Sequence, residues 1–393
     1  MARQVSSPLD WIDAELERLD GASLRRRLAT RQGRQGPLIQ LDGQQLLNFG
    51  SNDYLSLAGD PRLAEAVSAA AQEEGWGAGA SPLILGHGAS HQRLEKRLAR
   101  FEGTEAALLF STGFAANVAA ITALAERGDA IFADQLNHAS LIDGCRLSRA
   151  DVHVYPHGDM RQLAELLAKQ TSYRRRLVVS DSLFSMDGDA APLAKLAELA
   201  ARHNCMLLLD EAHATGVFGP RGRGLAEEAG IHDQVHIHIG TLSKAVGCSG
   251  GFVCGSQALI DWMVNRARPY IFSTAPPPAS SAAALCALDI IETEPQRRRT
   301  LLTRAAELRG QLLLRGWKIG GSISQVIPLI VGDAERALAL AAQLRRQGIF
   351  VPPIRPPSVS FGQSLLRISL TYGHTSEMVE RLLAALDKAP RSE

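Results

Sequence analysis

The stretch Gly240–Gly251, GTLSKAVGCSGG, decides what kind of fold this chain adopts. The β-branched, apolar run Val235–Ile239 comes directly before it and predicts a buried strand that ends there. Lys244 then lies just past the carboxyl end of that strand, at the edge of an open α/β sheet where ligands bind. Small residues on both sides of the lysine predict room for a bulky group to approach the backbone. Such a lysine either reaches the solvent or is an amine that loses its proton easily.

The surroundings of Lys244 differ from those of every other lysine in the chain. Only six of the 42 basic residues are lysines, which the composition of a GC-rich genome accounts for. The other five have the charged neighbours or turn positions typical of solvated lysines: Lys96, Lys169, Lys195, Lys318 and Lys388. Context therefore singles out Lys244, and scarcity does not.

Short apolar runs alternate with helical patterns from about residue 48 to residue 254. This alternation predicts an α/β fold with a mostly parallel sheet of seven strands that helices cover on both faces. The seven runs predicted as strands are Ala106–Phe110, Ala130–Ala133, Val152–Tyr155, Leu177–Ser180, Met206–Leu209, Val235–Ile239 and Gly251–Cys254.

The pattern changes after the proline-rich turn Ala275–Pro278, where long helical patterns precede two more apolar runs. That helix-then-strand order predicts a second, smaller α+β domain. We predict an N-terminal arm over residues 1–47, a large domain over residues 48–280 and a small domain over residues 281–393.

Composition excludes several classes of function. A chain of 393 residues with a formal net charge of +1 has no general electrostatic attraction for nucleic acid. No apolar stretch approaches the roughly 18 residues of a membrane span, and the acidic, amphipathic start does not resemble a secretion signal. Five cysteines without a CxxC pair predict buried free thiols in a reducing cytoplasm. His232, His236 and His238 have no evident further ligand nearby, so no metal is expected.

Two more segments carry chemistry at the same predicted sheet edge. The run Met206–Leu209 delivers Asp210 to that edge, and His213 follows three residues later. An aspartate at this position either caps the next helix or, beside a lysine, holds a protonated ring nitrogen. The link Ser111–Gly113 joins a strand to a helix whose N-terminus can bind an anion, although serine and threonine are also common as plain caps.

Together these three segments resemble the fold type I, aspartate-aminotransferase-like enzymes that use pyridoxal 5'-phosphate. Thr241–Gly250 fits the T-x-S-K-x-x-G-x-x-G lysine signature of the class II aminotransferase group. Within that group the chain resembles the α-oxoamine synthases from about residue 20 to its C-terminus. The segments that carry this resemblance are Asn48–Leu55, Gly77–Glu95, Asn137–His138, Phe184–Asp189 and Asp210–Gly216.

The resemblance implies pyridoxal 5'-phosphate as the cofactor and assigns roles to individual residues. By the family pattern, Lys244 bonds to the cofactor and moves the substrate's Cα proton, Asp210 pairs with the ring nitrogen, and His138 stacks on the ring. Further cofactor contacts are implied for Gly113, Phe114, Ser185, His213, Thr241 and Thr274. Substrate contacts are implied for Arg25, Asn52, His138, Arg355 and Ser358, with Asn52 and Arg355 on the amino-acid carboxylate. Thr274 ends the segment Tyr270–Thr274, which in the family reaches the neighbouring subunit and implies a homodimer with shared sites.

The run Ile354–Val359, IRPPSV, resembles the branch of the family that condenses L-alanine with a pimeloyl group on CoA or acyl carrier protein. Ser358 departs from the threonine usual in that branch, which keeps the hydroxyl and removes a methyl group. A family member that uses glycine or serine with another acyl-CoA is the first alternative. A true aminotransferase and a regulator without catalysis are less favoured alternatives.

A basic cluster near the N-terminus also has two interpretations. It consists of Arg25, Arg26, Arg27, Arg31 and Arg34. Most charge runs are solvated helix faces. The functional interpretation is attraction of an anionic acyl donor, with Arg25 as the specific contact.

Overall fold

The computed structural model describes residues 7–389, which contain fourteen strands. Seven of them form the central sheet, and the others form two smaller sheets. The strands are β1 (Arg31–Gln32), β2 (Leu38–Leu41), β3 (Gln44–Asn48), β4 (Ala106–Phe110), β5 (Ala130–Asp134), β6 (Asp151–Tyr155), β7 (Arg176–Asp181), β8 (Met206–Asp210), β9 (Ile237–Thr241), β10 (Gly251–Gly255), β11 (Val326–Gly332), β12 (Ile349–Phe350), β13 (Pro353–Ile354) and β14 (Ser364–Ser369).

The helices of the described residues lie between and around these strands. They are α1 (Trp11–Gly21), α2 (Pro61–Glu74), α3 (Ala89–Glu102), α4 (Gly113–Leu124), α5 (Ala139–Ser148), α6 (Met160–Lys169), α7 (Leu193–Arg202), α8 (Leu225–Glu228), α9 (Gln257–Arg266), α10 (Arg268–Ile271), α11 (Pro278–Thr293), α12 (Gln296–Leu314), α13 (Ala334–Arg346) and α14 (Ser376–Asp387). A π-helical turn, Pro82–Gly86, and a 3-10 turn, His232–Gln234, complete the set.

The predicted seven-stranded, mostly parallel sheet is confirmed. Its order is β4-β10-β9-β8-β7-β5-β6, and all seven predicted runs contribute a strand to it. Only β10 runs antiparallel to its neighbours. The short loop Leu242–Gly250 joins β9 to β10, and so short a connection cannot hold the crossover that parallel neighbours need. Lys244 therefore lies in a hairpin loop at the sheet edge.

The predicted bounds of the strand before Lys244 are wrong by two residues. The strand β9 begins at Ile237, because the 3-10 turn occupies the preceding residues, and it continues through Thr241. Thr241 pairs with Gly251 of β10, which extends the ladder beyond Gly240. Lys244 consequently lies three residues past the strand end rather than five.

The expectation that small residues around Lys244 make room for a ligand is also wrong at two glycines. A Cβ atom on Gly240 would lie 2.2 Å from the ring of Phe252. Gly247 has a φ of +71°, and a Cβ there would lie 2.5 Å from the backbone nitrogen of Ala58. Neighbouring parts of the chain fill these spaces, so the two glycines permit close packing and a left-handed turn.

The N-terminal arm and the C-terminal segment fold together. The hairpin β2-β3 pairs with β12 in parallel, with Leu47 opposite Ile349. The sheet β11-β14-β13 packs beside it under α13. By contrast α11 packs against α2 and α3 of the large domain, although the predicted boundary at residue 281 falls within it. The three predicted domain ranges stay a prediction.

Two observations concern the surroundings of the protein. Within residues 7–389, no helix has both the length and the apolar character that a bilayer crossing requires. All five cysteines are free thiols, and Cys145, Cys205 and Cys254 are buried as predicted, whereas Cys248 and Cys286 are half-buried.

Candidate active site

Lys244 and His213 meet at the carboxyl edge of the central sheet. His213 follows β8 in a tight turn, and its Nε2 lies 2.7 Å from the Nζ of Lys244. Its Nδ1 lies 2.7 Å from the hydroxyl of Tyr54. His213 and Tyr54 are both buried, so the amine of Lys244 faces a fixed polar partner.

The surroundings of Lys244 favour its neutral form. Burial lowers the pKa of the amine to about 8, although the charges of Asp210 and Asp181 oppose the shift. Burial also lowers the pKa of His213 well below its usual value, and the positive charges of Lys244 and Arg367 add to that effect. The site therefore holds an amine that deprotonates near neutral pH, as a nucleophilic lysine requires.

Arg367 is one of the residues of this site that the sequence analysis did not identify. Its Nη1 donates to Asn52 Oδ1 at 3.0 Å, and its Nη2 donates to the hydroxyl of Tyr54 at 3.3 Å. Its Nε donates to the carbonyl of Ser185 at 2.5 Å. The signal for it was an arginine between the apolar residues Leu366 and Ile368 of strand β14, because a charge is rarely buried in a strand without a specific partner.

The resemblance implied that Asn52 and Arg355 together hold the amino-acid carboxylate. In the structure the two side chains have different hydrogen-bond partners. Arg355 is buried, and its Nη1 donates to the carbonyl of Ser23 in the N-terminal arm. Arg26 of the arm donates in turn to the carbonyls of Arg355 and Pro356. The guanidinium of Arg355 thus ties the arm to the Ile354–Val359 run, and Asn52 has Arg367 as its arginine partner.

Two buried side chains, Asn117 and Ser140, join the buried Asp210 to His138, which is itself exposed. Asn117 Nδ2 donates to Asp210 Oδ2 at 2.6 Å and to Ser140 Oγ at 2.9 Å. Ser140 Oγ lies 2.7 Å from His138 Nδ1. The carboxyl of Asp181 accepts from the backbone N–H of His138 at 2.6 Å, which holds the start of α5. Asn117 lies one helical turn after the Ser-Thr-Gly link, and no sequence signal distinguished it from a core residue.

Gly113, Phe114 and Thr241, which were predicted to contact the cofactor, lie near the start of α4. Gly113 opens α4, and a Cβ on it would lie 3.4 Å from the side chain of Thr241. Thr112 caps this helix by accepting from the N–H of Ala115. The ring of Phe114 stands edge-on to the ring of His138, with centroids 6.5 Å apart. Free N–H groups at the start of α4 give this corner the positive end of a helix dipole.

The remaining predicted contacts lie farther out. Ser358 is exposed and lines a cleft of about 250 Å³ together with Ser185 and Phe184. Thr274 is exposed on the surface. Arg25 forms an ion pair with Asp20 at 2.6 Å, and Arg27 shares that carboxylate, so part of the basic cluster is neutralised within the arm.

A cluster of possible metal ligands lies on another part of the large domain. Glu102, His232 and His238 bring one potential ligand atom each within 4.8 Å of the others. The imidazoles of His232 and His238 are stacked, with centroids 4.2 Å apart and planes 28° apart. The nitrogen lone pairs lie in the ring planes, so two nearly parallel rings do not direct them at one ion. The geometry does not favour a metal site there.

The residues at the sheet edge fit pyridoxal 5'-phosphate. A lysine of lowered pKa can bond to its aldehyde carbon, and a buried carboxylate on the next strand can hold its ring nitrogen. The start of α4 offers donors to its phosphate. The buried Oδ1 of Asn117 has no partner among the described residues, which leaves acceptor capacity beside Asp210.

Comparison with known proteins identifies the family. The model of the class I and II aminotransferases matches residues 44–386. The 8-amino-7-oxononanoate synthase of Anaeromyxobacter dehalogenans (strain 2CP-1) is 51% identical over 96% of this chain and 95% of its own. That of Azoarcus (strain BH72) is 47% identical over 98% of each chain. The chain belongs to the 8-amino-7-oxononanoate synthase family. Its fold is that of the fold type I pyridoxal-phosphate-dependent transferases, as the resemblance implied.

Solved structures agree on this fold. The serine palmitoyltransferase of Sphingomonas wittichii is 33% identical and superposes with a TM-score of 0.92 over 98% of this chain and 97% of its own. The 8-amino-7-oxononanoate synthase of Francisella tularensis is 29% identical, with a TM-score of 0.76 over 87% of this chain and 97% of its own.

Proposed function

We propose that this protein condenses L-alanine with a pimeloyl thioester to give 8-amino-7-oxononanoate, an early step of biotin synthesis. One C–C bond forms between the alanine Cα and the acyl carbon, while CO2 and the free thiol of the carrier leave. The observation that carries this proposal is the 51% identity to a synthase of that name along nearly the whole chain. The intact arrangement of Lys244, His213 and Asp210 supports catalysis rather than a purely regulatory role.

The solved structures with the higher TM-scores are serine palmitoyltransferases. This similarity does not decide which substrate the present chain uses. A TM-score reports the backbone path, whereas the substrate is chosen by a few side chains. The serine palmitoyltransferase has the higher TM-score but only 33% identity, against 51% for the synthase. Sequence identity therefore favours alanine and a pimeloyl donor over serine and a fatty acyl donor.

The residues of this chain perform four tasks in the reaction. Bound pyridoxal 5'-phosphate supplies an electron sink for the negative charge that develops at Cα. Lys244 would hold the cofactor covalently and, as a neutral amine, would accept the Cα proton of the amino acid. Asp210 would hold the ring nitrogen in its protonated form. His138 would lie against one face of the ring, and His213 would reach toward its phenolic oxygen.

We assign the alanine carboxylate to Arg367 and Asn52. Arg367 contacts both Asn52 and Tyr54, and Tyr54 contacts His213, the partner of Lys244. A guanidinium fork beside that chain of contacts can bind a carboxylate in two places. Burial of Arg367 removes competing water, which strengthens that pairing. Arg355 then acts through the arm and the Ile354–Val359 run, next to the exposed Ser358. The acyl donor enters along the cleft that Ser358 lines.

We propose a homodimer in which each subunit completes the other's site. An exposed apolar patch, defined here as Leu83, Ile84, Leu85 and Phe272, supports it, with exposed fractions of 49%, 72%, 85% and 70%. The π-helical turn that carries three of these residues contacts α10, the helix that ends directly before Phe272. Thr274 lies just beyond Phe272 in the chain, within reach of a second subunit that covers the patch.

The decisive experiment measures thiol release by the purified protein loaded with pyridoxal 5'-phosphate. L-alanine with pimeloyl-CoA, or with pimeloyl-acyl carrier protein, should turn over faster than glycine with acetyl-CoA or serine with palmitoyl-CoA. Faster turnover with either of the last two pairs would overturn the substrate assignment. Loss of the alanine amino group to a keto acid without thiol release would identify an aminotransferase. Lys244→Ala should abolish the borohydride-stable cofactor adduct, and Lys195→Ala, an exposed lysine paired with Glu198, should retain it.

A further inference from the structure

Asn117 and Ser140 connect Asp210, the proposed partner of the cofactor ring nitrogen, to His138, the residue proposed to stack on the ring. Neither Asn117 nor Ser140 has a role in the proposed function. Asn117 lies on α4 and Ser140 on α5, and both side chains are at least 98% buried. Between them they join Asp210 to His138 through three contacts of 2.6, 2.9 and 2.7 Å. All three contacts are within hydrogen-bond distance, so each one requires a hydrogen atom between its two heavy atoms.

The directions of the first two bonds follow from the acceptor at one end. The carboxylate of Asp210 accepts, so the group of Asn117 that faces it is the NH2. The second hydrogen of that NH2 points to Ser140 Oγ, which therefore accepts it. The hydroxyl hydrogen of Ser140 remains available for the other neighbour of its Oγ, His138 Nδ1, and is donated there when that nitrogen carries a lone pair.

A second donor meets the same ring nitrogen. The backbone N–H of Ser140 also points at His138 Nδ1, at 3.3 Å. A backbone N–H only donates, so this contact requires a lone pair on Nδ1 independently of the hydroxyl. Two donors on Nδ1 leave Nε2 as the nitrogen that carries the proton of the neutral ring.

We propose that Asn117 and Ser140 are positioning residues that hold His138 as its neutral Nε2–H tautomer, with the direction set by Asp210. The residue that grips the cofactor nitrogen thereby also determines which proton His138 presents to the substrate side. A protonated imidazole would place a hydrogen on Nδ1 against the N–H of Ser140, so the chain disfavours the cation. Desolvation and the charge of Lys244 lower the pKa of His138, although the charge of Asp210 opposes the shift, and a lowered pKa likewise disfavours the cation.

The catalytic use of His138 rests on the proposed function. The tautomer of His138 does not, because the position of its proton can be measured without substrate. The probe is the 15N spectrum of the imidazole nitrogens in histidine-labelled protein loaded with pyridoxal 5'-phosphate, at neutral pH. The chain has 11 histidines, so the signals of His138 are identified by their loss in His138→Gln. In the wild type, Nδ1 should give the shift of an unprotonated nitrogen and Nε2 that of a protonated one.

Variants test which residues impose this tautomer. Ser140→Ala should populate the Nδ1–H form, and Ser140→Thr, which keeps the hydroxyl, should restore the wild-type pattern. Asn117→Asp offers Ser140 an acceptor in place of a donor, so the hydroxyl should turn away and His138 should shift toward Nδ1–H. The matched control is Ser148→Ala, a buried serine of the same helix that donates to the carbonyl of Cys145 and should change nothing.

Two results would overturn the inference. One is a wild-type His138 that carries its proton on Nδ1, which needs no variant to fold. The other is an unchanged His138 spectrum in both Ser140→Ala and Asn117→Asp. If the alanine-dependent thiol release fails while the Nε2–H tautomer is observed, the substrate assignment is wrong and the positioning role of the chain stands.

Discussion

The Nζ of Lys244 lies 2.7 Å from Nε2 of His213, a histidine whose other ring nitrogen is 2.7 Å from the hydroxyl of Tyr54. Neither residue of the pair favours a positive charge, because both are desolvated and the charge of Lys244 further disfavours the cation of His213. The amine is therefore prepared to react before any substrate arrives.

The reaction of the cofactor-free protein with pyridoxal 5'-phosphate should follow the deprotonation of Lys244. The neutral amine is the nucleophile, and its pKa is lowered to about 8. The rate of adduct formation, measured by absorbance, should rise with pH and level off above about pH 8. A rate that keeps rising toward pH 10, as for an ordinary lysine with a pKa of about 10.4, would contradict the lowered value.

Arg367 and Arg355 should differ in their effect on alanine binding. Arg367→Lys loses the planar fork beside Asn52, and a charge-assisted hydrogen bond contributes about 1.5–3 kcal/mol, so KM for alanine should rise roughly 10- to 100-fold. Arg355→Lys should leave that KM within about threefold and act on the acyl donor instead. Steady-state kinetics with each substrate varied in turn decides the matter. A large alanine effect at Arg355 and none at Arg367 would restore the assignment that the family resemblance implied.

His157 should contribute pH-dependent stability. Its Nδ1 lies 3.0 Å from Asp134 and its Nε2 lies 2.9 Å from Asp189, and these two hydrogen bonds raise its pKa to about 10. The contribution is complete below the unfolded pKa of about 6.5 and is lost as the pH rises through about 10. His157→Gln should therefore lower the free energy of unfolding by about 1–3 kcal/mol near pH 6, since two bonds to charged groups are lost.

The difference between wild type and His157→Gln should narrow steadily as the pH rises toward about 10. Urea unfolding at several pH values measures it. Asp189→Asn serves as a partner control, because it weakens one of the two bonds and keeps the other to the buried Asp134. A difference that stays constant with pH would show that the charge of His157 is not responsible.

Ser358→Thr should have a small effect. Ser358 is exposed at the rim of its cleft, so the added methyl group becomes only partly buried. Full burial of one such group contributes about 0.8 kcal/mol, which limits the change in KM for the pimeloyl donor to about fourfold. Ser358→Ala, which removes the hydroxyl, should have the larger effect. Equal kinetics for Ser358→Ala and the wild type would show that the hydroxyl does not contact the donor.

Ile84→Asp should disrupt the dimer. Ile84 is 72% exposed within the apolar patch, and a carboxylate there would lose its water when a second subunit covers it. Sedimentation at micromolar concentration should show a shift toward monomer and a parallel loss of activity. Leu314→Asp is the matched control, because Leu314 is 82% exposed at the end of α12, away from the patch, and it should leave the dimer intact. A dimer that persists in Ile84→Asp would place the interface elsewhere.

Local pattern alone determined the seven central strands and most helices of the C-terminal half, because buried strands and amphipathic helices carry their own periodicity. It also determined Lys244, Asp210 and His213, since each follows directly from a strand end. The polar residues around them could not be predicted from any local sequence pattern. Tyr54, Asn117 and Arg367 are separated from Lys244 by 190, 127 and 123 positions in the chain, respectively.

Only the tertiary structure could decide which arginine meets Asn52. Arg355 and Arg367 stand twelve residues apart; Arg355 directly follows β13, and Arg367 lies in β14 of the same sheet. The strand β14 pairs with β11, and from that position the side chain of Arg367 contacts Tyr54. Arg355 lies in the loop after β13 and contacts Ser23 of the N-terminal arm instead. Hydrogen-bond geometry between distant segments depends on how the sheets pack, and periodicity within a single segment contains no information about that packing.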